Sequence, residues 1–311
     1  MNRVTLLRTG LVVVVAIIGG IANAEKPVLV GKGSSIRFAG VNADSPIIYD
    51  NDWWKDVPDA AYLWKKASLG KANLRGNVVS RDMWAWREGY KFPMKNCMTE
   101  ATQLRQLALR SGLKNIPAPV AGATLALQRP DSGCIEDTTF QRTAGSDLIV
   151  REAKLASKQR RLVLFIGGPC TTVAAAYLTD PTIADRVMVF QVDGGAYNAK
   201  DSWSWHIVQQ RLPFTNWCRG YFWGDWSRWN TGDFDVLPDN PLCAEMKRYA
   251  KADIGIANQW GDGPWIYHLF AGDCITKVED YDGNAVTVPQ SGTDIAAIQK
   301  EFLRTMSSAE K

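Results

Sequence analysis

The hydrophobic positions of this chain fall into two patterns. Short, nearly unbroken apolar runs occur at Ile47 to Tyr49, Leu162 to Ile166 and Val187 to Val192, and the more polar Asn73 to Val79 reads as a further strand. Runs this short, rich in branched and aromatic residues, read as strands buried on both faces. Between them apolar residues recur every three or four positions, as on a helix with one buried face. Pro58 to Lys66 opens with a proline, whose missing N–H costs little in a first turn. In Thr99 to Arg110, Ala101, Leu104 and Ala108 share a face, with Thr99 placed to cap and Gly112 to terminate. Asp147 to Lys158 and Thr171 to Leu178 are the other helices; Ser35 to Ala39 reads as a lead-in strand and Ala118 to Gly122 as a strand edge. Strands alternating with helices imply an α/β fold, a single domain with a mostly parallel, open, Rossmann-like sheet and helices on both faces. Right-handed crossovers place the loops after these strands along one edge, where such folds bind ligands.

One stretch on that edge stands out. Tyr49 to Ala61 leaves a strand and gathers Asp50, Asp52, Asp56 and Asp59 around Trp53 and Trp54. Crowded carboxylates repel unless they face water, share protons or hold a cation. After a parallel strand the cation is the leading account, and carboxylate oxygens suit calcium or magnesium; a solvated acidic turn is the alternative. The 13 tryptophans gather in sets such as Trp84 with Trp86, Trp203 with Trp205, and the Trp223, Trp226 and Trp229 group. Core packing accounts for most of them; Trp53, lying among carboxylates, is the one expected to stack on a ligand. Of the two histidines, His206 could donate a proton to a leaving group, and a buried structural role is the alternative for both His206 and His268. Neither G-x-S-x-G nor H-E-x-x-H occurs, so serine-hydrolase and zincin readings lack support.

Composition is that of a globular protein, 46% hydrophobic and 22% charged. The start of the chain changes the picture. Arg3 and Arg8, the apolar run Leu11 to Ile18 and Ala22-Asn23-Ala24 form a signal-peptide pattern, so residues 1–24 are expected to be removed and 25–311 to form the domain. A secreted or periplasmic protein with no later membrane segment follows. Of the formal charge of +4, Arg3 and Arg8 supply two, and the remainder is too small to argue for nucleic acid. Six cysteines behind a leader suggest at least one disulfide, with Cys97–Cys134 and Cys218–Cys243 as local pairings and Cys170 as a free buried thiol.

Two segments in order resemble a known family. Ile47 to Ala60 matches a strand followed by D-x-D-x-x-x-D-D. Phe165 to Ala174, with Gly167-Gly168-Pro169-Cys170-Thr171-Thr172, leads into Asp180-Pro181-Thr182-Ile183 and then Val189 to Gly195. Together they resemble the inosine–uridine-preferring nucleoside hydrolases over about Pro46 to Phe214, with a fainter match at Gly261 to Tyr267. The resemblance implies that fold and a Ca2+-assisted N-glycosidase, in which metal-held water attacks the ribosyl carbon of a nucleoside or sugar-like ligand. By position, Asp52 would be base and metal ligand, and Asp50 would brace the loop and join the metal set. Asp56 would bind ribose hydroxyls, and Ile166 would lend its backbone carbonyl to the metal. Trp53, Ser80, Trp203 and Ser204 would contact substrate, and His206 would assist the leaving base.

The chain departs from the pattern at informative places. Val57 stands where the family has its second paired Asp, with Asp59 two residues on; Lys55 sits nearby and its ammonium could replace part of a cation's charge. Gly263 aligns with a family Asp, so Asp262 would have to supply that carboxylate. A binding protein that kept the fold without the metal is therefore the second reading. A haloacid-dehalogenase-type phosphatase, suggested by Asp50-x-Asp52 after a strand, ranks last because Trp53 follows the second Asp. A homo-oligomer is possible on either leading reading.

Overall fold

The computed structural model describes residues 29–30, 36–53, 57–80, 94–192, 198–217, 234–251, 264–281 and 285–309. The leader, Trp54, Lys55, Asp56, the Trp84–Trp86 pair, Cys218, the Trp223–Trp229 group and Asp262 lie outside them. In chain order the strands are β1 (Leu29–Val30), β2 (Arg37–Phe38), β3 (Pro46–Asn51), β4 (Asn73–Val79), β5 (Pro119–Ala121), β6 (Leu162–Ile166), β7 (Val187–Val192), β8 (Phe214–Trp217), β9 (Glu279–Tyr281) and β10 (Ala285–Val288). The helices are α1 (Val57–Ser68), α2 (Met94–Arg110), α3 (Ala144–Leu155), α4 (Thr171–Thr179), α5 (Ser202–Arg211), α6 (Pro241–Lys251), α7 (Trp265–Ala271) and α8 (Ile295–Met306).

The main sheet has the order β5-β4-β3-β6-β7-β8-β10-β9 and is parallel except at β9. Among the described residues β2 pairs only with β1, antiparallel, and the lead-in strand stands apart from this sheet. The chain runs outward through β3, β4 and β5, then returns to lay β6 on the other side of β3. That reversal opens a crevice at the C-terminal ends of β3 and β6, where open α/β sheets place ligands.

Every residue of β3, β6 and β7 is buried, because both faces are covered. Ile47, Tyr49, Val163, Phe165, Met188 and Phe190 face the core that includes buried residues of α1, α2, α6, α7 and α8. Ile48, Val78, Leu164, Ile166, Val187 and Val189 face the opposite core, with α3, α4 and α5.

Two sequence expectations change. α2 begins at Met94, which puts Thr99 inside the helix rather than at its cap. The capping box lies on α3, where Thr143 accepts from the Ser146 N–H and the Ser146 hydroxyl accepts from the Thr143 N–H. The expected disulfide does not form among the described cysteines, Cys97, Cys134, Cys170, Cys243 and Cys274. Cys97 belongs to the first core, whereas Cys134 is exposed and adjoins Ile135 of the second, so the sheet separates the members of this local pairing. Cys243 is likewise a packed thiol, on α6.

Candidate functional site

The ends of β3, β4 and β6 bring polar groups to the crevice. Asp50 pairs in register with Val78 on one side and Ile166 on the other. Those two residues line the α3–α5 core, so the Asp50 side chain points to the same face. It is fully buried. The Ser80 hydroxyl donates to Asp50 Oδ1, while Oδ2 has no hydrogen-bond partner among the described residues. Burial pushes the carboxyl up to about 7, against the lowering effect of the Ser80 bond.

The loop beyond is tightly held. Asn51 Oδ1 accepts from the Trp53 N–H, an Asx-type turn, and Asn51 Nδ2 donates to the Tyr49 hydroxyl at 2.8 Å. Trp53 occupies the left-handed region, φ +61°, a costly conformation for a bulky residue. Its ring lies against Trp64, 5.6 Å between centroids, and edge-on to Tyr49, and its indole N–H donates to the Val78 carbonyl. The ring expected to stack on a ligand is thus packed in protein and only 4% exposed. Asp52, also buried, packs against Gly168: a Cβ there would lie 3.4 Å from the Asp52 nitrogen and 3.8 Å from Ser80 Cβ. The lack of a side chain at Gly168 lets the loop after β6 approach both residues.

A polar scaffold supports that loop. The Cys170 N–H donates to Asn198 Oδ1, and Gln191 Nε2 donates to the Gly168 carbonyl, both within 3 Å. Thr172 Oγ1 lies 3.4 Å from Ser80 Oγ, and Thr171 donates to Asp201. Asp201 caps α5 by accepting from the Ser204 N–H. Burial raises the Asp201 carboxyl and the Cys170 thiol above their ordinary values, the latter with help from the Asp50 and Asp201 charges. Gln191 and Asn198 carry no local sequence signal for this supporting role; Asp201, three positions before Ser204, carries that of an N-cap.

The remaining candidates scatter. Asp59 sits on α1, on the other side of the sheet from the Asp50 carboxyl, and accepts from the Tyr267 hydroxyl. Ser204 is buried, its hydroxyl donating to the Asp201 carbonyl. Trp203 donates to Thr138 Oγ1 at 2.8 Å and stacks on His206 at 4.9 Å. Burial, then the Arg129 and Arg211 charges, hold His206 below its ordinary pKa. His268 is structural: Nδ1 accepts from the Ile275 N–H and Nε2 lies 2.7 Å from the Ile36 carbonyl.

Among the described residues no three Asp, Glu, His or Cys side chains converge as a metal group. What the crevice offers is oxygen chemistry of the kind calcium takes: Asp50 with its unpartnered Oδ2, Asp52 and the neighbouring Ile166 backbone. Those donors fit calcium in kind and fall short of its usual shell of roughly six to eight oxygens.

This sheet order and crevice define the nucleoside-hydrolase fold, which the resemblance at Ile47 and Phe165 implied. No protein-family model and no curated protein matches the sequence. An inosine–guanosine nucleoside hydrolase superposes with a TM-score of 0.59 at 13% identity, over 85% of this chain and 99% of that one. The purine-preferring ribonucleoside hydrolase from Gardnerella vaginalis gives 0.54 at 15%, over 84% and 98%. The type III effector XopQ, solved in complex with adenosine diphosphate ribose, gives 0.55 at 10%, over 85% and 93%. At these identities the likeness is one of fold.

Proposed function

We propose that the protein binds the ribosyl group of a nucleoside or related N-glycoside at the ends of β3, β4 and β6 and hydrolyses its N-ribosyl bond. The observation that carries this reading is Asp50 Oδ2, a buried acceptor at the switch-point crevice with no partner among the described residues. Native folds rarely bury an acceptor that nothing uses. The fold shared with nucleoside hydrolases supports the reaction class. In this reading Asp52 takes the proton of the attacking water, and Ser80 fixes the Asp50 carboxyl. Asp50, Asp52 and the Ile166 carbonyl, with Asp262, would hold calcium, whose chemistry there would be to lower the pKa of a bound water, and Asp56 would bind the ribose hydroxyls. Asp59 is left out because it serves Tyr267. His206, on α5, would assist the departing base.

The test is release of free base from purine and pyrimidine nucleosides, with and without calcium. Asp52→Asn should lower the rate by about a hundredfold or more while the fold is kept. No release from the wild type with any nucleoside would refute hydrolysis. Recognition without hydrolysis is the second reading, favoured by the short donor set among the described residues. XopQ, bound to adenosine diphosphate ribose, sets a precedent for nucleotide-sugar binding on this fold. Calorimetric binding of adenosine or ADP-ribose without base release would select it. Export forms part of the proposal, tested by whether protein recovered outside the cytoplasm begins at Glu25.

A further inference from the structure

A second cleft opens beside the crevice, between the segment leading to Arg129 and the start of α5. It encloses about 430 Å³ and is lined by Arg129, Lys200, Asp201, Ser202, Trp203 and His206, among others. Trp203 is a fixed plate at its wall, anchored through its indole N–H to Thr138 and stacked on His206. The Arg129 guanidinium lies 5.5 Å from the centre of the Trp203 ring. Gly133, at φ +67°, leaves room for that arm, since a Cβ there would come within 3.1 Å of Arg129 Nη2. Neighbouring arginines on this side meet carboxylates: Arg75 and Arg151 reach Glu152, Arg142 reaches Asp147, and Arg211 reaches Glu136. Arg129 has no carboxylate partner among the described residues; its contact is the aromatic ring. The positive field is felt by His206, whose pKa the Arg129 and Arg211 charges help to lower after burial. Asp201, the one carboxylate among the described residues of the wall, is already engaged by Thr171 and by the Ser204 N–H.

We infer that this cleft is a phosphate-binding subsite, in which Arg129 and Lys200 hold the phosphate or diphosphate of a phosphorylated nucleoside or sugar. A guanidinium fork laid on an aromatic plate presents its N–H groups edgewise, the geometry that suits phosphate oxygens. The cleft adjoins the crevice through hydrogen bonds already described: Asp201 to Thr171, then the next residue Thr172 to Ser80, and Ser80 to Asp50. A ligand with ribose at Asp50 and phosphate at Arg129 spans the two. This deepens the ribosyl-binding reading and rests on it for the ribose half only.

The experiment is calorimetry on the full chain at low ionic strength, where exposed cations are least screened. The probes are pyrophosphate, adenosine and ADP-ribose; the variants are Arg129→Gln and Lys200→Gln, singly and together. Pyrophosphate should bind the wild type, and the double variant should lose about tenfold or more in affinity for pyrophosphate and ADP-ribose. Its affinity for adenosine should not change. Pyrophosphate that binds wild type and double variant alike, or binds neither, overturns the subsite. So does ADP-ribose that binds no more tightly than adenosine. Pyrophosphate binding that depends on Arg129, with no binding of adenosine, leaves the subsite standing and overturns the ribosyl reading instead.

Discussion

At the scale of single residues, the decisive group is Asp50. Its carboxyl is raised from an ordinary 3.8 to about 7 by burial. The folded chain therefore keeps a proton that the unfolded chain gives up near pH 4. The stability this adds is fully present below that pH and is lost as pH rises through about 7, a change of at most about 4 kcal/mol. In chelator, Asp50→Asn keeps an acceptor for Ser80 and removes the titration. It should flatten the fall in stability between those limits and be more stable than wild type above them. Thermal unfolding of both proteins on either side of the window measures this; a less stable variant at the alkaline end would mean that the native carboxylate has a counter-charge. Asp59 makes a contrasting case. Tyr267→Phe takes away a hydrogen-bond donor to a buried carboxylate, and should cost about 1–3 kcal/mol in denaturant unfolding. Ligand binding at the crevice should be unchanged, because Asp59 faces the other core. The sequence showed that Asp50 to Asp59 is a dense acidic stretch. It could not show that a strand's alternation and a helix's turn send its members to opposite sides.

Between elements, α1 and α8 are joined by a buried ion pair. Lys66 Nζ lies 2.6 Å from Glu301, which also receives the Tyr62 hydroxyl, the Thr305 hydroxyl and Arg304. Burial alone would raise the Glu301 carboxyl; the bonds from Lys66 and Arg304 overcome that and hold it below its ordinary value. Its contribution is present above the unfolded pKa and is lost as pH falls below it. Glu301→Ala leaves the Lys66 ammonium buried and unpaired, and should destabilise by about 3–5 kcal/mol in equilibrium unfolding. An intact stability curve would show that Lys66 escapes to solvent. Helices and strands from β2 to β7 were legible from apolar patterning and from capping and turn residues, whereas β1, two residues long, carries no such signal. β10 was not: it is four residues long, and its strand character comes from pairing with β8 on one side and β9 on the other. The Trp53 turn escaped notice for a similar reason, since a tryptophan at positive φ is disfavoured locally and is held there by Asn51, Tyr49 and Trp64 together.

For the molecule as a whole, calcium is the most direct probe. If Asp50 and Asp52 belong to its site, calcium must stabilise the native state by mass action. Tm should rise with added calcium, fall back with chelator, and ignore both in Asp52→Asn; a wild type indifferent to calcium would remove the metal from the proposal. Thiol chemistry tests the packing. Among the described cysteines, Cys134 alone is exposed. A thiol reagent should therefore label Cys134 before Cys97, Cys170, Cys243 and Cys274, which wait for unfolding. The order of strands was readable only as a class, because which strand lies beside which depends on contacts across the sheet and on the family resemblance.

The reversal between β3 and β6 also dictates when the site can come into being. On a ribosome Asp50 emerges early, but the strand that closes its far side ends at Ile166, and the Gly167 N–H that binds the Asp50 carbonyl comes just after. Until then β3 has β4 as a neighbour and a bare edge on its other side. The nascent chain must shelter that edge through the synthesis of α2 and α3. No amino-terminal fragment ending before residue 167 can assemble the crevice, and a stalled chain of that length is where a chaperone would be most needed.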